Sequence, residues 1–554
     1  MGWRNALLLA LAITAAGQDT VKIEVAGEKR LGPIRPIWRY FGYDEPNYTY
    51  AKYGRKLVAE LGAEIGKTGR EPVFFRTHFL LCTGDGTPGL KWGSTNAYTQ
   101  DAEGNPVYDW TIVDRVFDTY LKSGGKPFVE IGFMPRALSS KPEPYQPEWI
   151  PGAKNEQYSV GWSYPPKNYA KWEELVGQWV RHAVSKWSRK EVATWYWEVW
   201  NEPDISYWHG TAEEYDTLYQ CAARAVKLAL PEARVGGPAT TGPRNAKAAD
   251  YLRQFLRHSD GTPLDFITFH AKGSPRVVDD HLRMGLSDEL QSVAGGIEVI
   301  REFPQFHETP IILSEADPEG CAACSARVYP ENAYRNGTLY PAYTAASLNA
   351  ILTIAERRNA NIEGMLTWAF EFEDQPYFDG FRTLATNGID KPILNLFRML
   401  AMMGMPRGDR VRVTSSGAVD ADMMLKNGVR DNPDINALAA RGEHEILTLV
   451  WNYHDDDVLA PDAKVELALT GIPAGARTVL VRHYRIDKKH SNAYEAWRAM
   501  GAPQKPTEAQ YTKLEAAGQL AMLGPAERKR PTGGRVVLRF TLPRQSVSLV
   551  QLNW

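Results

Sequence analysis

Short apolar runs and longer amphipathic runs alternate between about residues 36 and 400 of the chain. The short runs are rich in β-branched and aromatic residues, which is typical of buried strands, and the longer runs have apolar positions at helical spacing. Strands are predicted at 37–43, 72–78, 127–133, 195–200, 234–238, 266–270, 311–315 and 364–370. Helices are predicted at 169–187, 212–230, 246–258, 287–302 and 342–358. Eight strands with helices between most of them predict an α/β fold, the (β/α)8 TIM barrel.

The hydrophobic pattern changes after about residue 405. Segments 445–453, 464–469, 478–485 and 535–542 alternate with a period of two, which indicates half-buried antiparallel strands. We therefore expect an accessory antiparallel β-sandwich at 405–554 behind a catalytic barrel at 36–404. Residues 18–35 are expected to supply an N-terminal strand that pairs with the sandwich.

The first 17 residues have the pattern of a signal peptide. Arg4 precedes an apolar stretch from Ala6 to Ala16, and small residues lead to Gly17 and Gln18. The apolar stretch is too short to span a membrane, and no later stretch reaches that length. The sequence thus predicts an exported protein, periplasmic or extracellular.

Composition narrows the class of partner. The 64 Lys and Arg residues are balanced by 66 Asp and Glu residues, for a net charge of −2, and no long basic run is present. This balance argues against nucleic acid, whose binding needs a basic surface. The 17 Trp and 26 Tyr residues suit a carbohydrate site, because flat rings with polar edges stack on sugar faces, although barrel cores also use aromatic residues.

The four cysteines do not form a metal site of recognisable spacing. Cys321 and Cys324 lie three positions apart, and no second Cys or His pair stands at zinc-finger spacing. A structural disulfide or two unpaired thiols remain as interpretations. We expect neither a metal nor an organic cofactor.

Polar residues follow several of the predicted strands where each strand ends. Arg76 and His78 close the second strand, Glu202 follows the fourth, His270 closes the sixth and Glu315 the seventh. Barrel active sites are built at the C-terminal ends of the strands, so these side chains are predicted to converge.

Two of these residues suit glycosidic bond cleavage, which uses a pair of carboxyl groups on either side of the scissile oxygen. Glu202 and Glu315 come from strands on opposite sides of the barrel mouth. Glu198 is a rival on the fourth strand, but it lies deeper. Asp317 and Glu319 are rivals beyond the seventh strand and are expected in a loop.

The order of these motifs resembles a known family. Asn201-Glu202-Pro203 on strand four with Glu315 on strand seven is similar to the pattern of the large clan of retaining hydrolases with (β/α)8 barrels. More narrowly, the chain resembles glycoside hydrolase family 39, which holds β-xylosidases and α-L-iduronidases. Matching segments are 74–78, 266–273, 364–370, 387–392, 484–487 and 491–494.

The resemblance implies roles for individual residues. Glu202 would be the acid/base and Glu315 the nucleophile of a double displacement, and Asn201 would bond the sugar 2-hydroxyl. Arg76 would orient Glu315. Further substrate contacts are expected from His78, His270, Lys272, Trp368 and Glu373.

Lys272 departs from the clan pattern, in which an aromatic residue often stands two positions after the histidine of strand six.

The expected activity is release of β-D-xylose from xylo-oligosaccharides. An α-L-arabinosidase or an α-L-iduronidase is the alternative, since Lys272 or Arg382 could bind a uronate carboxylate. A non-catalytic carbohydrate-binding barrel is a third interpretation, because a fold alone does not fix function.

Overall fold

The computed structural model describes residues 20–69, 71–142, 145, 161–404 and 408–554. The predicted targeting segment, 1–17, lies outside the described residues. The predicted boundary between barrel and sandwich, at residue 405, does so as well.

Eight parallel strands close into a barrel, as the sequence predicts. After the N-terminal strand β1 (Val21–Pro33), the barrel strands are β2 (Tyr40–Tyr43), β3 (Phe74–Thr77), β4 (Lys126–Ile131), β5 (Tyr196–Val199), β6 (Arg234–Thr240), β7 (Phe266–Lys272), β8 (Ile311–Asp317) and β9 (Ile362–Trp368). Each pairs with the next, and β9 returns to β2. The α/β barrel prediction is confirmed.

A helix follows each barrel strand and covers the sheet. These helices are α1 (Lys52–Ala59), α2 (Thr111–Ser123), α3 (Tyr169–Trp187), α4 (Ala212–Ala229), α5 (Ala246–His258), α6 (Leu286–Arg301), α7 (Leu339–Arg357) and α8 (Pro392–Met403). A π-helical segment, Glu60–Gly66, prolongs α1. Within the described ranges, no helix combines the length and the apolar character that a membrane span requires.

Aromatic side chains fill the lower part of the barrel. Tyr40, Phe74, Phe128, Tyr196 and Phe266 are buried against one another, each from a different strand. Rings of this size leave no channel along the barrel axis, since barrel interiors are packed cores. Polar groups are therefore displaced to the strand ends, where the candidate site lies.

Three short two-stranded sheets lie in the barrel loops, at Tyr98–Gln100 with Pro106–Tyr108, Arg276–Val278 with His281–Arg283, and Ala385–Thr386 with Ile389–Asp390. Nine further strands form, together with β1, one folded sheet of ten. They are β10 (Asp409–Ser415), β11 (Asp434–Arg441), β12 (Glu445–Tyr453), β13 (Ala463–Thr470), β14 (Val479–Ile486), β15 (Ala521–Met522), β16 (Glu527–Lys529), β17 (Val536–Leu542) and β18 (Ser546–Asn553). The N-terminal strand β1 lies between β10 and β13. It is antiparallel to β10 but parallel to β13, so this sheet is mixed where an antiparallel one was expected. Strands joined by a short hairpin must be antiparallel, whereas β1 comes from a distant part of the sequence and can pair in either direction.

The sandwich packs against the barrel through α7 and through the loop after β7. The Tyr343 ring of α7 meets the Tyr453 ring of β12 edge to face, with centroids 5.8 Å apart. In the loop after β7, Arg283 donates two hydrogen bonds to the Asp456 carboxylate, at 2.5 and 2.9 Å. The sandwich thus fixes a loop that begins at the catalytic face of the barrel.

Candidate active site

A bulge in β8 aims Glu315 into the barrel mouth. The register between β8 and β7 shifts between Leu313 and Glu315, so that Glu315 comes opposite His270 and Asp317 opposite Lys272. Bulges of this kind re-aim side chains and are common next to active sites. The two adjacent strand ends thereby bring two acids, a histidine and a lysine together.

Glu202 is held by its backbone at the end of β5. Trp200 and Glu202 both adopt left-handed conformations, with φ of 74° and 44°, which are uncommon for side chains of this size. The Glu202 amide donates to the Ala239 carbonyl at 2.9 Å, and the buried Trp200 indole donates to the Tyr207 carbonyl at 2.9 Å. These contacts fix a strained turn that turns the Glu202 side chain towards the mouth.

His270 stands between the two candidate catalytic carboxylates. Its Nδ1 lies 2.8 Å from Glu202 Oε1 and 3.9 Å from Glu315 Oε2. These two oxygens are therefore no further apart than the sum of 2.8 and 3.9 Å. Retaining glycosidases keep their carboxyl groups about 5–5.5 Å apart and inverting enzymes about 6.5–9.5 Å. The limit therefore accommodates the retaining separation and excludes all but the shortest inverting separations.

Glu315 is surrounded by cationic groups. Lys272 Nζ lies 2.7 Å from Oε2, and Arg76 Nη1 lies 3.4 Å from Oε1. Burial opposes ionisation of the carboxyl, but His270, Lys272 and Arg76 together outweigh it and hold the pKa of Glu315 well below its ordinary value. Glu315 is therefore an anion near neutral pH, the form that a nucleophile requires.

Arg76 connects Glu315 to two deeper carboxylates. It is fully buried, its Nε donates to Glu198, and its Nη2 lies 3.0 Å from Glu130 Oε2. Burial raises the pKa of Glu130 well above its ordinary value, although Arg76 opposes this. The rival Glu198 is fully buried and bound to Arg76, so it is less accessible to a substrate than Glu202, whose side chain is 17% exposed.

His78 and Trp368 form one wall of the site. The two rings lie 4.4 Å apart between centroids, and His78 Nε2 is 3.6 Å from Glu315 Oε1. Burial and the nearby Arg76 charge hold the pKa of His78 well below its ordinary value, so the imidazole is neutral. Gly42 makes room for the indole, because a Cβ there would overlap the Trp368 ring.

Asn201 presents an unused donor. Its Oδ1 accepts a hydrogen bond from Arg76 Nη2 at 2.9 Å, which fixes the amide. Its buried Nδ2 has no hydrogen-bond partner among the described residues. Buried polar groups are normally satisfied, so this donor is suited to a ligand hydroxyl.

Glu373 does not join this cluster. Its carboxylate accepts hydrogen bonds from the backbone amides of Tyr53 and Gly54, at the start of α1. A helix N-terminus has unsatisfied N–H groups and a partial positive charge, which attract a carboxylate. The expected contact between Glu373 and a sugar thus has a structural competitor that sequence spacing did not reveal.

Asp317 and Glu319 are committed to the supporting structure. Asp317 is the last residue of β8, not a loop residue as expected, because its backbone continues the pairing with β7 as far as Lys272. Its carboxylate accepts from the Trp368 amide at 2.8 Å and from the Tyr340 hydroxyl at 3.1 Å. Glu319 is paired with Arg335 at 2.7 Å and with Arg382 at 3.1 Å. Neither rival carboxylate is free to act as the nucleophile in place of Glu315.

A disulfide closes the loop that follows β8. Cys321 and Cys324 are bridged, while Cys82 and Cys221 are free and buried. The Arg335 guanidinium donates to the carbonyls of Cys321 and Cys324 at 2.8 and 3.0 Å. The bridged loop therefore rests on the same arginine that binds Glu319.

Sequence reasoning missed two acids that support the site. Glu130 lies 2.5 Å from His78 Nδ1, and Asp44 lies 3.4 Å from His78 Nε2. Asp44 also pairs with Lys91 at 2.7 Å. The available signal for Glu130 was a single charge inside an otherwise apolar barrel strand, since a buried charge needs a partner.

The chain is similar to known proteins over most of its length. The family model for glycosyl hydrolases family 39 matches residues 21–532. The chain belongs to this family. A β-xylosidase from Geobacillus stearothermophilus is 27% identical over 470 residues, covering 82% of each chain. The α-L-iduronidase of Homo sapiens is 25% identical over 592 residues, covering 99% of this chain and 81% of the relative.

A solved structure shows the same fold. The family 39 enzyme from Xanthomonas axonopodis pv. citri superimposes with a TM-score of 0.74 at 22% sequence identity, covering 96% of this chain and 97% of that one. The chain is thus a family 39 glycoside hydrolase with a barrel and a sandwich, and its relatives include both β-xylosidases and α-L-iduronidases.

Proposed function

We propose that this protein is a retaining exo-glycosidase in which Glu315 is the nucleophile and Glu202 the general acid and base. The observation that carries the proposal is the placement of His270 between these two carboxylates, within 2.8 Å of one and 3.9 Å of the other. Their difference in environment divides the roles. Glu315 is kept anionic by its cationic neighbours, whereas Glu202 is the more exposed of the two and can reach a leaving group or water.

The first step is glycosylation of the enzyme. A Glu315 oxygen attacks the anomeric carbon while the bond from that carbon to the leaving oxygen breaks, and the Glu202 carboxyl proton passes to the leaving oxygen. The Asn201 Nδ2 group, which has no partner among the described residues, donates to the sugar 2-hydroxyl. This hydrogen bond strengthens as the ring becomes oxocarbenium-like.

The second step returns the enzyme to its starting state. Glu202, now a carboxylate, takes a proton from water, and the water oxygen attacks the anomeric carbon. The ester bond to Glu315 breaks and the carboxylate is released beside Lys272 and Arg76, which stabilise it. Two inversions at one carbon give overall retention.

The glycone of the proposal is β-D-xylose. Support comes from the β-xylosidases among the relatives, at 27% and 28% identity over 82% and 90% of this chain. Trp368, buried at the end of β9, packs against His78 and Arg76 and so holds the wall on which a pyranose ring would rest.

An α-L-iduronide is the second candidate, favoured by one feature of the site. Lys272 lies at the mouth with its side chain 17% exposed, and a uronate carboxylate would be a chemically suitable partner for its ammonium group. Arg382, the other donor expected from the sequence, is fully buried and is paired with Glu319 at 3.1 Å and Asp317 at 3.8 Å. Lys272 already has Glu315 and Asp317 as partners, so it does not require a uronate for its own stability.

Export is part of the proposal. The Cys321–Cys324 disulfide suits an oxidising compartment, in which such bonds persist. Expression in a Gram-negative host, followed by fractionation and determination of the mature N-terminus, tests it. Cleavage near Gln18 is expected, and an uncleaved cytoplasmic product would contradict export.

Hydrolysis of an aryl glycoside panel tests the enzymatic proposal. The panel holds the β-D-xyloside, both α-L-arabinosides, the β-D-glucoside, the β-D-galactoside and the α-L-iduronide, with Glu315→Gln as control. Dominant xyloside turnover that vanishes in Glu315→Gln is the expected result. Dominant iduronide turnover would keep the mechanism and replace the sugar, and turnover that survives in Glu315→Gln would overturn the assignment of the nucleophile.

A further inference from the structure

A large groove lies between the barrel and the sandwich, apart from the catalytic carboxylates. Its volume is about 1010 Å³, which matches the upper range of natural ligand sites, about 300–1,000 Å³. The barrel contributes the loop after β7, with Arg276, Arg283 and Gly285. The sandwich contributes residues between Ser416 and Ile435.

The groove carries an excess of unpaired positive charge. Arg276, Lys426 and Arg430 line it, all three are exposed, and none has a salt bridge within the described part of the chain. Arg283 is not part of this excess, because its guanidinium is paired with Asp456.

The acidic residues of the lining do not cancel these charges. Asp455 accepts hydrogen bonds from the Tyr453 hydroxyl and the Val429 amide, and burial raises its pKa. Asp456 is occupied by Arg283. Asp431 is the exposed acid that opposes the three free cations.

The walls of the groove are held together before any ligand binds. The Met284 amide donates to the Asp455 carbonyl at 2.9 Å, and the Asp457 amide donates to the Leu282 carbonyl at 2.8 Å. A site that is already ordered loses less conformational entropy on binding.

One residue that lines the groove, Arg276, lies in the segment that follows the active-site residue Lys272. Arg276 is four residues beyond Lys272, whose Nζ lies 2.7 Å from Glu315. Four Cα–Cα steps limit the separation of these two Cα atoms to about 15 Å. The two sites are therefore neighbours on the molecule, although the groove lining does not include the catalytic carboxylates.

We propose that this groove is a second carbohydrate site, which binds an acidic oligosaccharide through the uronate carboxylates. Arg276, Lys426 and Arg430 supply the charge, and the amide side chains of Asn427 and Asn432, which also line the groove, supply hydrogen bonds to hydroxyls. The inference does not depend on the sugar that the catalytic site cleaves.

Calorimetric binding of tetragalacturonate to full-length Glu315→Gln protein tests the site, with xylotetraose and inorganic sulfate as comparison probes. Replacing Arg276, Lys426 and Arg430 together by Gln is expected to weaken tetragalacturonate binding at least about tenfold. Asp431→Asn is expected to tighten it, and added salt to weaken it.

A matched control removes the same charge elsewhere. Lys464, Arg477 and Arg528 are exposed on the sandwich and do not line the groove, so their joint replacement by Gln should leave binding unchanged. Absence of tetragalacturonate binding, equal binding of xylotetraose or sulfate, or equal loss in the control would overturn the proposal. Because binding is measured without turnover, these outcomes are separate from failure of the catalytic proposal.

Discussion

Replacement of Lys272 by Met tests how the site controls its nucleophile. Lys272 Nζ lies 2.7 Å from Glu315 Oε2, at a position where Glu315 is only 7% exposed. A hydrogen bond to a charged group is worth about 1.5–3 kcal/mol. Arg76 and His78 remain near the other carboxylate oxygen, so we discount the loss to about 1–2 kcal/mol.

This loss should appear mainly in the second chemical step. Glu315 leaves as a carboxylate when the glycosyl-enzyme is hydrolysed, and Lys272 stabilises that leaving group. A loss of about 1–2 kcal/mol slows this step about 5- to 30-fold, since 1.36 kcal/mol corresponds to a factor of ten. The assay is pre-steady-state hydrolysis of an activated aryl glycoside, in which Lys272→Met should show a burst of released phenol.

The pH profile gives a second readout of the same substitution. The nucleophile must be ionised, so activity is present above the pKa of Glu315 and is lost as the pH falls through it. Lys272 contributes to holding that pKa low, so Lys272→Met should move the acid limb of kcat/KM to higher pH. Lys272→Arg keeps the charge and should leave the limb in place. An unmoved limb and no burst in Lys272→Met would refute the reasoning.

Three further predictions follow from the same contacts. Asn201→Ala should lower kcat/KM about 100-fold, mostly through kcat, because the lost bond strengthens in the transition state; a change confined to KM would contradict this. Arg76→Ala leaves Glu130 and Glu198 without their buried cation and should lower the free energy of unfolding, measured by urea titration, by about 3–5 kcal/mol. A loss under about 1 kcal/mol would show that these carboxylates do not depend on Arg76 for their stability. Burial raises the pKa of Glu289 to about 8, so between about pH 5 and 8 the folded protein holds a proton on Glu289 that the unfolded chain has lost. The free energy of unfolding should therefore fall as pH rises through this range, and Glu289→Gln should reduce that pH dependence. An identical slope in the variant would remove Glu289 as its cause.

The barrel could be predicted from sequence because its signal is repeated. The pattern of eight apolar runs, most of them followed by a helical run, is recognisable even when single boundaries are wrong, and the polar residues at the strand ends fall where the fold places active sites. Glu202, Glu315 and His270 were predicted to converge on this ground, and the structure brings them together.

Other features depend on contacts that one segment does not encode. The parallel pairing of β1 with β13 joins residues more than 400 positions apart, and no local pattern fixes its direction. Glu373 is only five residues beyond Trp368 in the sequence, but its carboxylate binds the backbone of the first turn of α1. The contact of Lys272 with Glu315 arises from the bulge in β8, which shifts the register by a residue that periodicity does not reveal.

The central claim is that Glu315 forms a glycosyl-enzyme. Incubation with the 2-deoxy-2-fluoro glycosyl fluoride of the preferred sugar, followed by peptide mass mapping, tests it most directly. The account predicts one adduct, on the peptide that carries Glu315, and none on Glu202. An adduct on Glu198 or Asp317, or turnover with inverted product and no adduct, would contradict it.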